Sequence, residues 1–408
     1  MAQTTLPTPP AAPPLASGTA VAAVLVMFAV NGMLLGGYGG SLPSLRERLD
    51  LDATQIAIML FCGGLAGIVS MQVGGRLADS LGARRIVFAG LPVLIAAALV
   101  LAVAPSYPFA ILAGVLFGFG NGAMDVAMNA LGVQVEAARR TPIMSRFHAF
   151  FSIGNFVGAG AVLLMALALG ITGAGIVAPL MITLAVVAVG VFVVLIRISP
   201  EAEVVRHDAD GVRTKIPTMA WVLGAMALAF GLSEGTAVDW SSLHVTDVAG
   251  VDSTVGALGL IAVSGFMVVI RLLGDGLVTR FGRRHVVRFG GVCAALGYAT
   301  VTVVGSLPLL VVGWALVGFG VGMIAPQVYA VAGHLGGGRM LAVVVTFGYA
   351  AFLAGPAVVG LLVQHLGIQH AMAIPALLCV GIVFLAATMP KSDADLDSAP
   401  AAAPAERR

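Results

Sequence analysis

The sequence is poor in charge. Only 10% of its 408 residues are Asp, Glu, Lys or Arg, against roughly a quarter in soluble domains, and that shortage excludes an ordinary water-soluble fold. Cysteine is scarce as well. Cys62, Cys293 and Cys379 lie in apolar stretches without metal-like spacing, so they read as small packing residues rather than disulfide or zinc positions. There is no P-loop, no metal-ligand cluster and no constellation suited to covalent catalysis. The chain is therefore read as no enzyme, with no metal and no cofactor, driven by a gradient rather than by its own ATP hydrolysis. A net charge of +2 says nothing about partners, and no nucleic acid is expected among them. The first eighteen residues contain no Lys or Arg, hence no basic leader region, and the first apolar run is read as retained.

What the sequence has is hydrophobicity, at 59% of residues. Twelve runs of about twenty residues are long enough to cross a bilayer. They lie near 19–41, 55–76, 85–104, 108–133, 145–168, 173–196, 218–243, 255–278, 285–304, 308–332, 340–363 and 370–389. Residues 1–18 and 391–408, rich in Pro and Ala, read as disordered tails. Of the 21 Lys and Arg, Arg46 and Arg48 follow the first run; the others fall in alternate loops, at adjoining helix ends or in the C-terminal tail. The positive-inside rule puts those loops and both termini in the cytoplasm. The fold expected is all-α and integral to the membrane, with twelve transmembrane helices.

The chain also repeats itself. "GGRLADSLGARRIV" at 74–87 matches "GDGLVTRFGRRHVV" at 274–287, and Ser106-Tyr107-Pro108 and Gly118-Phe119-Gly120 recur at the same offset as Ser306-Leu307-Pro308 and Gly318-Phe319-Gly320. Two six-helix halves in one orientation, 19–196 and 218–390, are expected, joined by the charged cytoplasmic segment 197–217. That is a plan in which halves rock around a midplane site. The two loops resemble the signature of the major facilitator superfamily, Gly-x-x-x-Asp-Arg-x-Gly-Arg-Arg. The first copy has Gly75, Asp79, Gly82, Arg84 and Arg85 but Ser80 in place of Arg. The second has Gly274, Asp275, Arg280, Gly282, Arg283 and Arg284 but Thr279 in place of Asp. The resemblance implies the major facilitator fold and a cytoplasmic gating role for both loops.

Polar residues inside the apolar runs are costly and so are candidates for function, an acid at mid-helix costing about 2.5–3.5 kcal/mol to insert. Asn121, Asp125 and Asn129 share one helical face, with Gly118 and Gly122 beside it. Asp125 reads as a proton carrier or substrate contact; the alternative is a structural acid bonded to a backbone or to an arginine on a facing helix. Glu234 in "FGLSEGTAVDW" is a second intramembrane acid. Asp239 lies roughly 140° round the helix from it, and Trp240 suits either a sugar ring or the interfacial aromatic belt. His148 and Asn155 share a face with Phe151 and Ser152; imidazole can relay protons or be a structural hydrogen-bonded group. Asn31 and Tyr38 lie seven apart among glycines, at a helix crossing or a cavity wall. Pro326-Gln327 and Gly355-Pro356 mark kinks. Arg271 is expected to pair with an acid at the cytoplasmic end or to snorkel.

"DVAMNA" at 125–130 resembles the Glu-Thr-Ala-Ala-Asn-Pro segment of fucose-permease-like proton:sugar symporters, and "FFSIG" at 150–154 resembles their Phe-Asn-Ser-Phe-Gly. With "SRFHAFFSIG", "EGTAVDW" and "AGPAVVG", the chain is similar to bacterial inner-membrane facilitators related to those permeases. This implies proton coupling at Asp125. Gly39 stands where fucose permease has its sugar-recognising aspartate, so the substrate is not carried over. The expected function is proton-coupled symport of a small polar solute such as a sugar, by a monomer in the inner membrane. Asp125 and Glu234 would serve coupling; Asn31, Tyr38, Asn121, Asn129, His148, Asn155, Asp239, Trp240 and Gln327 would line the substrate site. The alternative is a proton-coupled exporter. Against it, Gly114 stands where many exporters have an Arg, and Ala159 where they have a Pro. A membrane sensor on the same fold would need an output domain larger than the linker or tails.

Overall fold

A backbone in hydrocarbon must satisfy its own N–H and C=O groups, so apolar runs become helices. The computed structural model describes residues 13–139, 143–201 and 217–390. The expectations for the C-terminal tail, for residues 1–12 of the N-terminal tail and for most of the 197–217 linker lie outside these residues. Among those described there are twelve α-helices and no strand: α1 (Gly18–Leu49), α2 (Ala53–Leu81), α3 (Ala83–Val103), α4 (Tyr107–Arg139), α5 (Met144–Leu169), α6 (Val177–Ile198), α7 (Thr218–Ala249), α8 (Leu258–Phe281), α9 (Arg283–Val303), α10 (Leu307–Val321), α11 (Ile324–Ala371) and α12 (Ala373–Leu385).

These helices do not map one-to-one onto the twelve expected spans. Among the described residues, eleven stretches are long and apolar enough to cross a membrane, and the tenth, Leu307–Ala332, runs from α10 into the start of α11. The eleventh, Val343–Ala371, is the remainder of α11. The run expected at 370–389 is a shorter apolar helix, Ala373–Thr388. At 1.5 Å per residue it is shorter than the ~30 Å hydrocarbon core.

The break between α10 and α11 has a local cause. Pro326 has no N–H to give to the carbonyl four residues back, and its ring crowds that carbonyl. The helix therefore ends at Val321 and restarts at Ile324, leaving Pro326 in the first turn, where proline is tolerated.

Helix packing follows one pattern twice. α1 lies against α5 and α6, α2 against α4, and α3 against α4 and α6; α7 lies against α11 and α12, α8 against α10, and α9 against α10 and α12. Between these groups, α2 meets α11, α5 meets α8 and α1 meets α7. Glycine sets the closest crossings. A Cβ on Gly118 of α4 would lie 1.8 Å from the Gly63 carbonyl oxygen of α2, and one on Gly158 of α5 would lie 2.0 Å from that of Met33 in α1. Leu164, Leu167, Val186, Val303 and Phe384 are exposed, a surface suited to acyl chains rather than water.

Two turns explain the signature glycines. Gly82 (φ 90°) and Gly282 (φ 78°) connect α2 to α3 and α8 to α9 with a backbone that other residues rarely adopt. At the opposite end, α1 is tied to α7 and to the segment that follows it. Arg46 forms an ion pair with Asp247, Ser253 Oγ donates to Glu47 Oε2 at 2.6 Å, and the Ser44 and Ser253 hydroxyls are 3.2 Å apart. Arg48 donates to the carbonyls of Ala102 and Ala104 at 2.8 and 3.0 Å, closing the end of α3. The two arginines that depart from the alternating charge pattern thus both have structural partners.

Candidate functional site

Gly118 and Gly122 are spent on the α2 crossing, which fixes the rotation of α4 and with it the position of Asp125. Asn129 Nδ2 donates to the Asp125 backbone oxygen at 2.8 Å and to Oδ1 at 3.2 Å, so the amide and the acid form a unit within one turn of α4. Asn121 Oδ1 is buried without a partner. Tyr349 of α11 lies close enough to feel the charge of Asp125, and Tyr329, near the start of α11, feels both Asp125 and Glu234. Acids from α4 and α7 therefore bear on the same phenol.

Glu234 is not alone. Arg271 of α8 donates from Nη2 to Glu234 Oε1 at 3.2 Å, and the side chains are only 13% and 16% exposed. Its Nη1 donates to Ser152 Oγ of α5, and its Nε to the Gly322 carbonyl at 3.3 Å. That carbonyl is the one Pro326 cannot satisfy. Arg271 is thus held by α7, α5 and the α10–α11 break together. The sequence reading placed its partner at the cytoplasmic end; the structure gives it the acid in the middle of α7, because the α8 crossing turns the guanidinium inward. Further along the same two helices, Ser264 Oγ of α8 donates to Asn155 Oδ1 of α5 at 2.7 Å. Ser152 with Arg271 and Asn155 with Ser264 form two rungs between antiparallel helices.

The other residues expected to line the site are spread more widely. His148 is exposed on α5, edge-on to Phe28 at 5.2 Å, and lies within electrostatic reach of Arg271. Asn31 is buried against Met128 of α4, its Nδ2 donating to the thioether at 3.9 Å. Tyr38 stacks on Phe117 at 4.6 Å and feels the charge of Asp239 on α7. Trp240 is 1% exposed with Nε1 unpartnered; it lies inside the bundle, away from the membrane-facing surface. Gln327 accepts from Arg283 Nη1 at 2.6 Å, tying the α8–α9 turn to the proline break.

The signature loops bind within their own helix groups. Arg84 pairs with Glu201 at 2.8 Å, donates to the Ile196 carbonyl at 3.1 Å and lies over the Phe88 ring. Arg284 donates to the Met389 carbonyl at 2.6 Å. Each caps the end of the last helix in its group, where a cation complements the helix dipole. Arg280 lies over Phe281, Gly75 is half-buried, Asp79 and Arg85 are exposed, and Gly274 and Asp275 sit in the last turns of α8.

Sequence reasoning missed Ser264, Tyr329 and Tyr349, and did not give Arg271 a site role. The available signal was Pro326: a proline mid-span leaves a carbonyl to be satisfied from elsewhere, and Arg271 is the donor that reaches it.

Comparison with known proteins agrees with this architecture. The Major Facilitator Superfamily model matches residues 24–332 and, in a second match, 250–407. An uncharacterized transporter of Sinorhizobium fredii is 33% identical over 345 residues, covering 83% of this chain and 89% of that protein. An uncharacterized MFS-type transporter of Yersinia pestis is 29% identical, with 87% and 92% covered. Membrane protein MosC of Rhizobium meliloti is 24% identical, with 90% and 89% covered. The crystal structure of the nucleoside transporter NupG superposes with a TM-score of 0.68 over 90% of this chain and 97% of that one; at 14% identity the likeness is one of fold. Eleven membrane-length helices in a twice-repeated packing pattern, and a family match over most of the length, have one reading: the chain belongs to the Major Facilitator Superfamily of membrane transporters.

Proposed function

We propose that this protein is a proton-coupled symporter of a small polar solute, sugar-like in size and polarity, working by alternating access in a bacterial inner membrane. Residues 19–196 and 218–390 act as the rocking halves, joined by 197–217, with both termini cytoplasmic. The observation that carries the reading is the pair of intramembrane acids, Asp125 on α4 and Glu234 on α7, one from each half. A charge in hydrocarbon resists reorientation, and a proton removes it. Asp125, whose partner among the described residues is Asn129 of its own helix, takes the coupling proton; Asn121, Asn155, His148 and the two tyrosines offer polar and aromatic contacts to the solute. The similarity of "DVAMNA" to fucose-permease-like symporters supports the same assignment.

The test uses purified protein in liposomes with a pH dye inside and sugars, polyols and small acids added outside. One compound acidifies the lumen, and Asp125→Asn abolishes uphill accumulation while retaining exchange of solute across the membrane. Undiminished accumulation by that variant removes Asp125 from the mechanism. Lumenal alkalinisation would instead mean exchange of protons for solute, and an exporter.

A further inference from the structure

The geometry around Arg271 names a substrate class within that reading, on which this inference rests. As it stands the guanidinium is neutralised by one carboxylate, Glu234, and its other bonds go to neutral oxygens, Ser152 Oγ and the Gly322 carbonyl. The groups around the pair are few. Arg271 comes to Glu234 from α8, Tyr298 reaches it electrostatically from α9 and Tyr329 from α11, and α5 brings His148 and Ser152 to Arg271. Apart from Glu234, the described side chains of this corner include no second acid; Asp275, one turn on from Arg271 along α8, lies outside them. Asp125 lies apart on α4, occupied by Asn129.

We propose that Arg271 is the anchor for a carboxylate on the transported solute, and that it becomes available only when Glu234 is protonated. The charges of this pair then balance in each state that must cross the membrane, the proton on Glu234 being additional to the one on Asp125. With nothing bound, Glu234 and Arg271 cancel. A proton on Glu234 forms an O–H bond and leaves Arg271 as an unpaired buried cation, a state disfavoured on the order of a hundredfold or more. A solute carboxylate arriving at Arg271 restores neutrality, replacing one planar acceptor with another in a fork suited to carboxylates. This pair opposes turning in neither the empty nor the fully loaded state; with Glu234 protonated and no solute bound it does, so the proton on Glu234 does not leak. A dianionic phosphate would leave one charge uncompensated, and a neutral polyol would leave Arg271 unpaired. The class is therefore small monocarboxylates bearing hydroxyls. Ser152 is a positioning residue, holding Nη1 towards α5 where His148 and Asn155 contact the remainder of the solute.

The experiment extends the liposome assay to gluconate, galacturonate and lactate against sorbitol, galactose and galacturonamide. A carboxylate acidifies the lumen, its neutral counterpart does not, and an inside-negative potassium diffusion potential raises the initial rate because two protons, on Asp125 and Glu234, accompany one anion. Glu234→Gln, which mimics the protonated acid, admits the carboxylate without a proton at this position, so fewer protons enter per carboxylate than in wild type. Arg271→Gln leaves Glu234 unpaired and can fail to fold. The double variant Arg271→Gln/Glu234→Gln removes both charges; it keeps its thermal stability and loses carboxylate counterflow at least tenfold. Acidification by sorbitol or galactose with the double variant equal to wild type overturns the carboxylate assignment and leaves proton symport standing. Alkalinisation, or no proton movement with any compound, removes the symport reading itself, and stabilisation of wild type against heat by gluconate but not sorbitol then keeps the carboxylate site; stabilisation by neither overturns it.

Discussion

Pro326 acts through an atom it does not own. By withholding an N–H from the Gly322 carbonyl it creates an acceptor inside the membrane, and Arg271 Nε fills it at 3.3 Å. Restoring the N–H with Pro326→Ala should let α10 and α11 run together and compete for that carbonyl. A proline in a helix interior costs about 3 kcal/mol, part of it already relieved by the break. The melting temperature of the variant should rise by about 2–4 °C per kcal/mol regained, while exchange slows because Arg271 loses one of its three tethers. Thermal unfolding and counterflow on the same preparation check both halves of this outcome. A faster exchanger with an unchanged melting temperature would count against the role given to the break. The residue was legible in the sequence as a kink. Its consequence was not, since nothing in one dimension says which side chain of α8 faces Gly322.

At the scale of the element, the decisive feature is how closely α4 and α5 approach their neighbours. The glycines of "GFGNGAMDVAMNA" announce a close crossing, but not which helix is crossed; the structure gives α2 for α4 and α1 for α5. Gly118→Val should cost about 1–3 kcal/mol or prevent folding, because the new Cβ meets backbone rather than a side chain that can yield. Gly190→Ala in α6 is the matched control: a Cβ there meets nothing within 4 Å. Replacing a mid-helix glycine by alanine should stabilise by about 0.5–1 kcal/mol. Folded yield and melting temperature in detergent measure both. Equal behaviour of the two variants would mean that the α2–α4 crossing loosens readily. The signature loops teach the same lesson. Their arginines were legible as a family motif, yet Arg84 and Arg284 are engaged in closing α6 and α12, contacts that depend on where those helices end.

For the whole molecule, the ties from α1 to α7 and to the segment after it join the two helix groups at one end of the bundle. Ser44 and Ser253 have hydroxyls 3.2 Å apart, within range of a disulfide once both are cysteine. Oxidising Ser44→Cys/Ser253→Cys should therefore arrest transport, and reduction should restore it; a gel-shift after cleavage of the linker reports the bond. The native cysteines are free, with Cys293 and Cys379 buried and Cys62 half-buried, so Cys62 is replaced first. Full activity in the oxidised protein would show that this end need not open. Arg46→Ala should shift the balance only slightly, since a part-exposed pair is worth about 0–1 kcal/mol.

Composition and periodicity by themselves determined that this chain lives in a membrane as helices, because hydrocarbon leaves a backbone no other way to satisfy itself. The two-hundred-residue repeat was equally plain, since "GGRLADSLGARRIV" and "GDGLVTRFGRRHVV" stand in register. Apolar runs also marked Asp125 and Glu234, as any charge in hydrocarbon stands out. Only the tertiary structure decided who meets whom: Arg271 with Glu234 and Ser152, Asn155 with Ser264, Arg46 with Asp247, and a twelfth helix shorter than its apolar run. Those pairings arise between helices far apart in the chain, from crossing angles and rotations set by glycine contacts, and no local pattern of residues encodes them.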